Sequence, residues 1–208
     1  MTQPYVALTD YALSLECIIF LFLLAPVRFL QAARFWFFGF FSSLAAASLI
    51  GGTVHGFFEQ PSFVGERILW PLTMVCIGVT ALSGAQIGKN LLGSQVNSKL
   101  IDLFTYGAFF FYCVVVLFID SRFFVGILGY LPAICFLGWA LMRSYLDTRK
   151  KPFLLGVAGL GIILFASVIQ QVNILDASQR NVIYHVLQGV GLLMVFNTAR
   201  VKEERVRG

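Results

Sequence analysis

Charged residues are scarce in this 208-residue sequence. Lys, Arg, Asp and Glu together make up 12% of the chain and hydrophobic residues make up 59%, whereas a soluble globular domain carries about 25% charged residues. This balance excludes a water-soluble domain of ordinary composition. The sequence also has no Gly- or Ser-rich linker, low-complexity segment or internal repeat, which predicts a single integral membrane domain over residues 1–208.

Cysteine and histidine are also rare, with four and two copies respectively. No two cysteines form a Cys-x-x-Cys pair, and each stands alone in a different apolar stretch: Cys17, Cys76, Cys113 and Cys135. This spacing excludes a disulfide framework and a cysteine-based zinc module. The two histidines, His55 and His185, also fall inside apolar stretches, where an ionisable side chain needs a partner or a purpose.

Long apolar stretches dominate the sequence. Each is about 20 residues long, which is the length an α-helix needs to cross about 30 Å of hydrocarbon. The stretches predict helices at 7–26, 35–58, 67–88, 100–119, 123–142, 153–171 and 179–199. We therefore predict an all-α, polytopic membrane protein, a seven-transmembrane-helix bundle whose main partner is the lipid bilayer. The first stretch lacks a basic segment and a small-residue cleavage site, so we expect it to remain as the first helix.

The basic residues indicate an orientation for this bundle. Twelve of the fifteen fall on one side of the predicted membrane: Arg28, Arg34, Lys89, Lys99, Arg143, Arg149, Lys150, Lys151, Arg200, Lys202, Arg205 and Arg207. Because cytoplasmic loops are enriched in Lys and Arg, this asymmetry predicts an N-terminus outside and a C-terminus in the cytoplasm. The same clusters account for the net charge of +5, so we predict no nucleic-acid partner. The compact, loop-poor chain is typical of a bacterial plasma (inner) membrane protein.

Polar residues within the predicted helices are few enough to define a candidate site. Under the predicted topology, four ionisable residues lie near the outer membrane surface: Asp10, His55, Glu66 and His185. Asn181, His185 and Gln188 occupy positions i, i+4 and i+7 and share one face of the last helix. We therefore predict a cavity near the outer leaflet, lined by Asp10, Glu16, Ser48, Asn181 and Gln188. The alternative for the same residues is helix packing through hydrogen bonds alone.

The layout of His55, Glu66 and His185 resembles the superfamily of seven-helix membrane hydrolases that includes the alkaline ceramidases and the progestin and adiponectin receptors. That superfamily has Ser-x3-His near the end of helix two, a later acidic residue, and His-x3-His in helix seven. This chain has Gly51 in place of the serine and Asn181 in place of one histidine. The resemblance implies a zinc site with His55, His185 and Glu66 as metal ligands. Such a zinc ion would activate a water molecule to attack a lipid-like amide or ester.

A second resemblance concerns the segment Gly51-Gly52-Thr53-Val54-His55-Gly56. It is similar to a segment of a family of small bacterial seven-helix membrane proteins of unknown function. This resemblance supports the predicted fold and implies no activity.

Three classes of function remain open at this point. The first is a metal-dependent hydrolase, in which Asp10 is an alternative to Glu66 as the acidic ligand. The second is a binding, transport or sensor protein that uses the cavity without chemistry, including a haem protein ligated by His55 and His185. The third is a structural or assembly partner whose polar residues only set helix packing. The sequence assigns no substrate, catalytic residue or oligomeric state.

Overall fold

A computed structural model describes residues 3–26, 31–58, 64–172 and 175–201, apart from the side chains at positions 31, 32 and 66. Seven helices in these ranges are long and apolar enough to span a membrane, and the same ranges contain no strand. The helices are α1 (Pro4–Leu24), α2 (Gln31–Phe57), α3 (Trp70–Leu92), α4 (Ser98–Phe118), α5 (Phe123–Thr148), α6 (Lys151–Gln171) and α7 (Ala177–Ala199). The prediction of an all-α protein with seven helices long and apolar enough to cross a membrane is therefore confirmed for the described residues.

Helix starts follow local sequence signals. Pro152 stands in the first turn of α6, where the missing N–H costs no helical hydrogen bond. Pro71 is the second residue of α3, which continues directly from a π-helical turn, Gly65–Leu69. The Asp176 carboxylate caps α7 by accepting a hydrogen bond from the backbone N–H of Gln179 at 2.9 Å. These signals fix where the apolar stretches enter the bundle.

Six of the seven helices form a closed ring. Each helix packs against the next in the order α1, α2, α3, α5, α6, α7, and α7 returns to pack against α1. The remaining helix, α4, packs from outside against α3 and α5. We call the end at which α1, α3, α5 and α7 begin the N-terminal end of the bundle, and the other the opposite end. The ring thus brings the first and last helices side by side.

Tyr112 fixes α4 to the ring. Its hydroxyl donates a hydrogen bond to the backbone carbonyl of Met74 on α3, at 2.9 Å. Its aromatic ring fills the space beside Gly78 of α3 and Gly129 of α5, where an added Cβ atom would lie 2.6 and 2.5 Å from the tyrosine ring. Small residues at these two positions therefore let α4 approach both helices.

A polar cluster joins α3 and α4 nearer the opposite end. Asp102 of α4 accepts hydrogen bonds from the Lys89 ammonium at 2.6 Å and from the Gln86 amide at 2.8 Å. The same Gln86 amide donates to Thr105 at 2.9 Å. Gln86 Oε1 is buried without a partner among the described residues, but the other contacts hold α4 by charge and hydrogen bonds at this level, as Tyr112 does at another.

Aromatic packing closes the ring toward the opposite end. Phe20 of α1 stacks on Phe196 of α7 with ring centroids 4.3 Å apart, and it meets Phe41 of α2 edge-on at 5.3 Å. On the neighbouring seam, an added Cβ atom on Gly159 of α6 or Gly191 of α7 would clash with the other residue's backbone oxygen. The glycine-rich stretch of α6 is therefore a packing feature that permits close contact with α7.

We expect Gly129→Ala to lower the thermal unfolding temperature, because the new methyl group would collide with the Tyr112 ring. Overpacking of this kind costs about 1–3 kcal/mol of unfolding free energy. The matched control is Gly107→Ala on α4, where an added Cβ atom meets nothing within 4 Å. Scanning fluorimetry of both variants in mild detergent is the measurement. Equal unfolding temperatures for the two variants would contradict the anchoring role of Tyr112.

Candidate functional site

Three side chains join α1 to α7 at the N-terminal end of the bundle. The imidazole of His185 lies between the helices, with Nδ1 3.1 Å from Thr9 Oγ1 and Nε2 3.3 Å from Asp10 Oδ1. The Thr9 hydroxyl also donates a hydrogen bond to the backbone carbonyl of Val6, at 2.8 Å. We call Thr9, Asp10 and His185 the α1–α7 cluster.

One oxygen of the α1–α7 cluster is unsatisfied. Asp10 is only 4% exposed, and its Oδ2 atom is buried with no hydrogen-bond partner within the described ranges. A buried polar atom without a partner is costly in an apolar surrounding, and more so inside a membrane. Such an atom in a native structure calls for an explanation.

Asp10 and His185 line a cavity of about 150 Å³ inside the helix ring. All six ring helices contribute lining residues, and no described residue of α4 does. On α2 the lining runs from His55 to Phe40, which spans about 20 Å along the helix axis at about 1.5 Å per residue. The cavity is therefore elongated along the bundle.

The two halves of the cavity differ in polarity. The N-terminal half combines polar and aromatic side chains, among them Ser48, Thr73, Gln170, Asn181, Gln188, Trp70, Phe123, Tyr130 and Tyr184. The opposite half is mainly apolar, with Phe40, Leu44, Gly84, Leu137, Leu160 and Leu192, and Thr80 adds one hydroxyl group to it. A molecule in this cavity would therefore meet hydrogen-bonding groups at one end and hydrocarbon at the other.

Several polar side chains of the cavity already satisfy one another. The Gln170 amide donates to Asn181 Oδ1 at 2.7 Å. The phenols of Tyr184 and Tyr130 are hydrogen-bonded, and Tyr130 bonds in turn to Ser167. Ser167 donates to a backbone carbonyl one turn earlier at 2.8 Å. These bonds fix the cavity walls, whereas Asp10 Oδ2 has no such partner among the described residues.

A wider cavity of about 480 Å³, which we call the vestibule, lies at the N-terminal end of the bundle. His55 and Trp70 line both the vestibule and the buried cavity, and their rings meet edge-to-face with centroids 6.0 Å apart. Trp70 follows a π-helical turn, Gly65–Leu69, and its indole N–H donates to the backbone carbonyl of Ser121 at 2.7 Å. His55 and Trp70 therefore separate the vestibule from the buried cavity.

The vestibule also contains Arg122, which is paired with Asp120 in the α4–α5 loop. The guanidinium donates to the two carboxylate oxygens at 2.6, 2.9 and 3.1 Å. These hydrogen bonds from Arg122 hold the pKa of the Asp120 carboxyl below its usual range. Because the two charges largely cancel, the pair leaves little net positive charge at the vestibule.

The structure brings most of the predicted site residues to one cavity: Asp10, Ser48, His55, Asn181, His185 and Gln188. Glu16 is not a lining residue. It lies against α7, where an added Cβ atom on Gly189 would be 2.9 Å from Glu16 Oε2. Glu16 follows Asp10 by six residues on α1. At about 100° of rotation per residue, the two side chains lie on different faces of the helix. The side chain of Glu66 lies outside the described residues.

Within the described ranges, no three His, Cys, Asp or Glu side chains lie close enough together to hold a metal ion. Catalytic zinc usually takes three protein ligands. The set of His55, His185 and Glu66 stays a prediction, because the Glu66 side chain is not described. Haem ligation by His55 and His185, which both line the cavity, likewise stays a prediction.

Sequence reasoning missed several residues around the cavity. Tyr184 could have been found, because it completes an i, i+3, i+4, i+7 face with Asn181, His185 and Gln188. Thr9 carried no such signal. A threonine in a membrane helix usually bonds to its own backbone, and only the packing of α1 against α7 brings Thr9 to His185.

These features define the class of protein: an integral membrane protein in which six of seven apolar helices surround a cavity with one polar end. The chain belongs to a family of unknown function, DUF6962, whose family model matches residues 5–204. No curated protein and no solved structure matches the chain. The resemblance to the alkaline ceramidases and the progestin and adiponectin receptors has no support from these comparisons. The resemblance to a family without an assigned function agrees with them.

We expect Thr9→Val to destabilise the protein, because valine keeps the side-chain shape but removes the contact to His185 Nδ1. Hydrogen bonds between membrane helices contribute about 0.6–2 kcal/mol, so the unfolding temperature should fall measurably. The matched control is Thr148→Val, whose exposed hydroxyl contacts only nearby backbone at the end of α5. Thermal unfolding in detergent compares the two, and a larger loss in the control would contradict the role given to Thr9.

Proposed function

We propose that this protein binds a small amphipathic molecule in the cavity within the helix ring. The observation that carries the proposal is Asp10 Oδ2, a buried oxygen without a partner among the described residues, at the polar end of a cavity whose other half is apolar. Gln86 Oε1 between α3 and α4 is also buried without a described partner, but Gln86 does not line the cavity, whereas Asp10 does. A bound molecule would supply the missing partner.

The size of the cavity limits the molecule that fits. A volume of about 150 Å³ is similar to that of an engineered apolar protein cavity that binds benzene. A ligand with roughly six to ten non-hydrogen atoms therefore matches this space. Its polar group would lie beside Asp10 and His185, and its apolar part would lie toward Leu160 and Leu192.

The same proposal includes an orientation. Most basic residues in the described ranges are near the opposite end of the bundle: Arg34, Lys89, Lys99, Arg143, Arg149, Lys150, Lys151 and Arg200. Because cytoplasmic segments are enriched in basic residues, this distribution supports an N-terminus outside, with the vestibule open to the exterior. In a bacterial inner membrane, the ligand would then enter from the periplasmic side, past His55 and Trp70.

A metal-dependent hydrolase is the second candidate, favoured by the presence of His55 and His185 on one cavity. It needs a third ligand, from Glu66 or Asp10, and room for a lipid-like amide or ester. The cavity is small for such a substrate, which favours reversible binding over hydrolysis.

A cavity-filling substitution tests the binding function. Ala133 lines the cavity, so Ala133→Leu should occupy part of the ligand's space, whereas Ala158→Leu adds the same atoms to an exposed position on α6. We expect benzyl alcohol, a probe of suitable size, to raise the unfolding temperature of the wild type and of Ala158→Leu. It should stabilise Ala133→Leu much less. Equal stabilisation of all three proteins would contradict binding in the cavity.

Elemental mass spectrometry distinguishes the two candidate functions. Reversible binding predicts little zinc in the protein purified without chelator, and no change in metal content in His55→Ala or His185→Ala. The hydrolase predicts near-stoichiometric zinc that is lost in both variants. That second result would overturn the preference stated here.

A further inference from the structure

Two further polar side chains of the cavity wall are buried without a hydrogen-bond partner in the described part of the chain. They are Gln188 of α7, which is 9% exposed, and Ser48 of α2, which is 5% exposed. Their polar neighbours on the wall are paired: the Gln170 amide donates to Asn181, and Thr73 donates to a backbone carbonyl. Because a buried amide or hydroxyl without a partner is costly, a group inside the cavity is the expected partner of both.

Gln188 and Ser48 lie where the polar half of the cavity meets its apolar half. One turn closer to the opposite end, the lining residues are Leu192 on α7 and Leu44 on α2. Four residues of helix correspond to about 6 Å along the axis. A molecule whose polar group meets Gln188 would therefore have its remaining atoms among leucine side chains.

Contacts with α1 place Gln188 and Ser48 at similar depths in the bundle. Ser14 of α1 donates a hydrogen bond at 2.9 Å to the backbone carbonyl of Ala45, three residues before Ser48. An added Cβ atom on Gly189, next to Gln188, would lie 3.6 Å from the side chain of Leu13. Since Leu13 and Ser14 are adjacent, about one helical turn separates the two polar side chains in depth. One polar group between α2 and α7 is thus at a suitable depth for both.

The side-chain amide of Gln188 limits the kind of group that satisfies it. It has two N–H donors and one carbonyl acceptor, so its partner must both donate and accept hydrogen bonds. A carboxamide does this through two neighbouring groups, and two amides can pair by two reciprocal N–H···O bonds. The second N–H of a primary carboxamide then remains for the Ser48 hydroxyl, which can accept.

A charged group matches this site less well than a neutral one. Among the described residues that line the cavity, no Lys or Arg is present to pair with an anion. An ammonium group can only donate, so it would leave the Gln188 N–H groups without an acceptor. A carboxamide also fits Asp10 Oδ2 in either protonation state, because a carboxylate accepts its N–H and a carboxylic acid donates to its carbonyl. A neutral ligand avoids the cost of bringing a charge into the membrane interior.

We propose that the ligand is a small neutral primary carboxamide, which pairs with the side-chain amide of Gln188 while its apolar part lies toward Leu160 and Leu192. This proposal rests on the binding function proposed above and names the chemical class of its ligand. The contacts are hydrogen bonds, so no covalent bond forms or breaks. A hydrocarbon group of about six carbon atoms completes a molecule of the size that the cavity accepts.

Calorimetric titration of the full-length protein in mild detergent tests the proposal with three probes of nearly one shape: benzamide, acetophenone and benzoate. Acetophenone has a methyl group in place of the amide nitrogen and can only accept, whereas benzoate has a charged oxygen there. We expect benzamide to bind the wild type about tenfold more tightly than acetophenone, because its N–H groups pair with Gln188. Benzoate should bind more weakly than both.

The first variant, Gln188→Met, keeps the length of the side chain and removes the amide. The preference for benzamide over acetophenone should then fall from about tenfold to about twofold or less. Its matched control is Gln179→Met, an exposed position nearer the start of the same helix. This control should keep the preference of the wild type.

The second variant, Ser48→Ala, keeps the proposal testable should Gln188→Met fail to fold. We expect it to weaken benzamide binding about threefold and to leave acetophenone binding unchanged, because only benzamide has an N–H for the Ser48 hydroxyl. Its matched control is Ser42→Ala on the same helix, where the exposed hydroxyl bonds to the backbone of its own helix. The control should bind both probes as the wild type does.

The outcomes separate this proposal from the binding function on which it rests. Acetophenone or benzoate binding the wild type as tightly as benzamide would overturn the carboxamide proposal and leave the binding function intact. An unchanged preference in Gln188→Met, or an unchanged benzamide affinity in Ser48→Ala if that variant is used, would do the same. So would the failure of benzamide to bind a protein that benzyl alcohol stabilises. A wild type that binds none of benzamide, acetophenone and benzyl alcohol would overturn both.

Discussion

The contact between the first and the last helix closes the six-helix ring, and the cavity depends on that closure. Three levels of contact form this seam. Thr9 and Asp10 meet His185 at the N-terminal end, Glu16 packs against Gly189 in the middle, and Phe20 stacks on Phe196 further along. Because the lipid surrounding a membrane bundle provides no strong hydrophobic force between helices, such close packing and polar contacts must hold the ring together.

The seam also explains why the polar end of the cavity lies where it does. Two of the three residues that join α1 to α7, Asp10 and His185, also line the cavity, so they both hold the ring closed and form its polar end. The apolar half of the cavity needs no polar contacts of this kind. Aromatic and leucine side chains such as Phe40 and Leu192 need no polar partner in a membrane interior. The polarity gradient along the cavity is therefore a consequence of how the ring is built.

Much of the fold could be predicted from the sequence, because helices in a membrane satisfy their own backbone and apolar length alone identifies them. The largest difference is at the end of α5, predicted at 142 and found at Thr148, because the helix continues past its apolar stretch into charged residues such as Arg143. The helix order around the ring was not predictable. It depends on residues such as Gly129 and Tyr112, whose fit appears only after packing.

The candidate site was also predictable only in part, because the contacts of its residues depend on how the helices pack. Rare polar residues at one depth pointed to Asp10, His55 and His185, but periodicity gave no information on the partners that each would meet.

The central claim is that a molecule occupies the cavity of the native protein. Native mass spectrometry of the protein released directly from its membrane tests this claim. The account predicts a small bound molecule on the wild type that Ala133→Leu loses. Identical spectra of the two proteins without an adduct, even with excess benzyl alcohol, would contradict the claim.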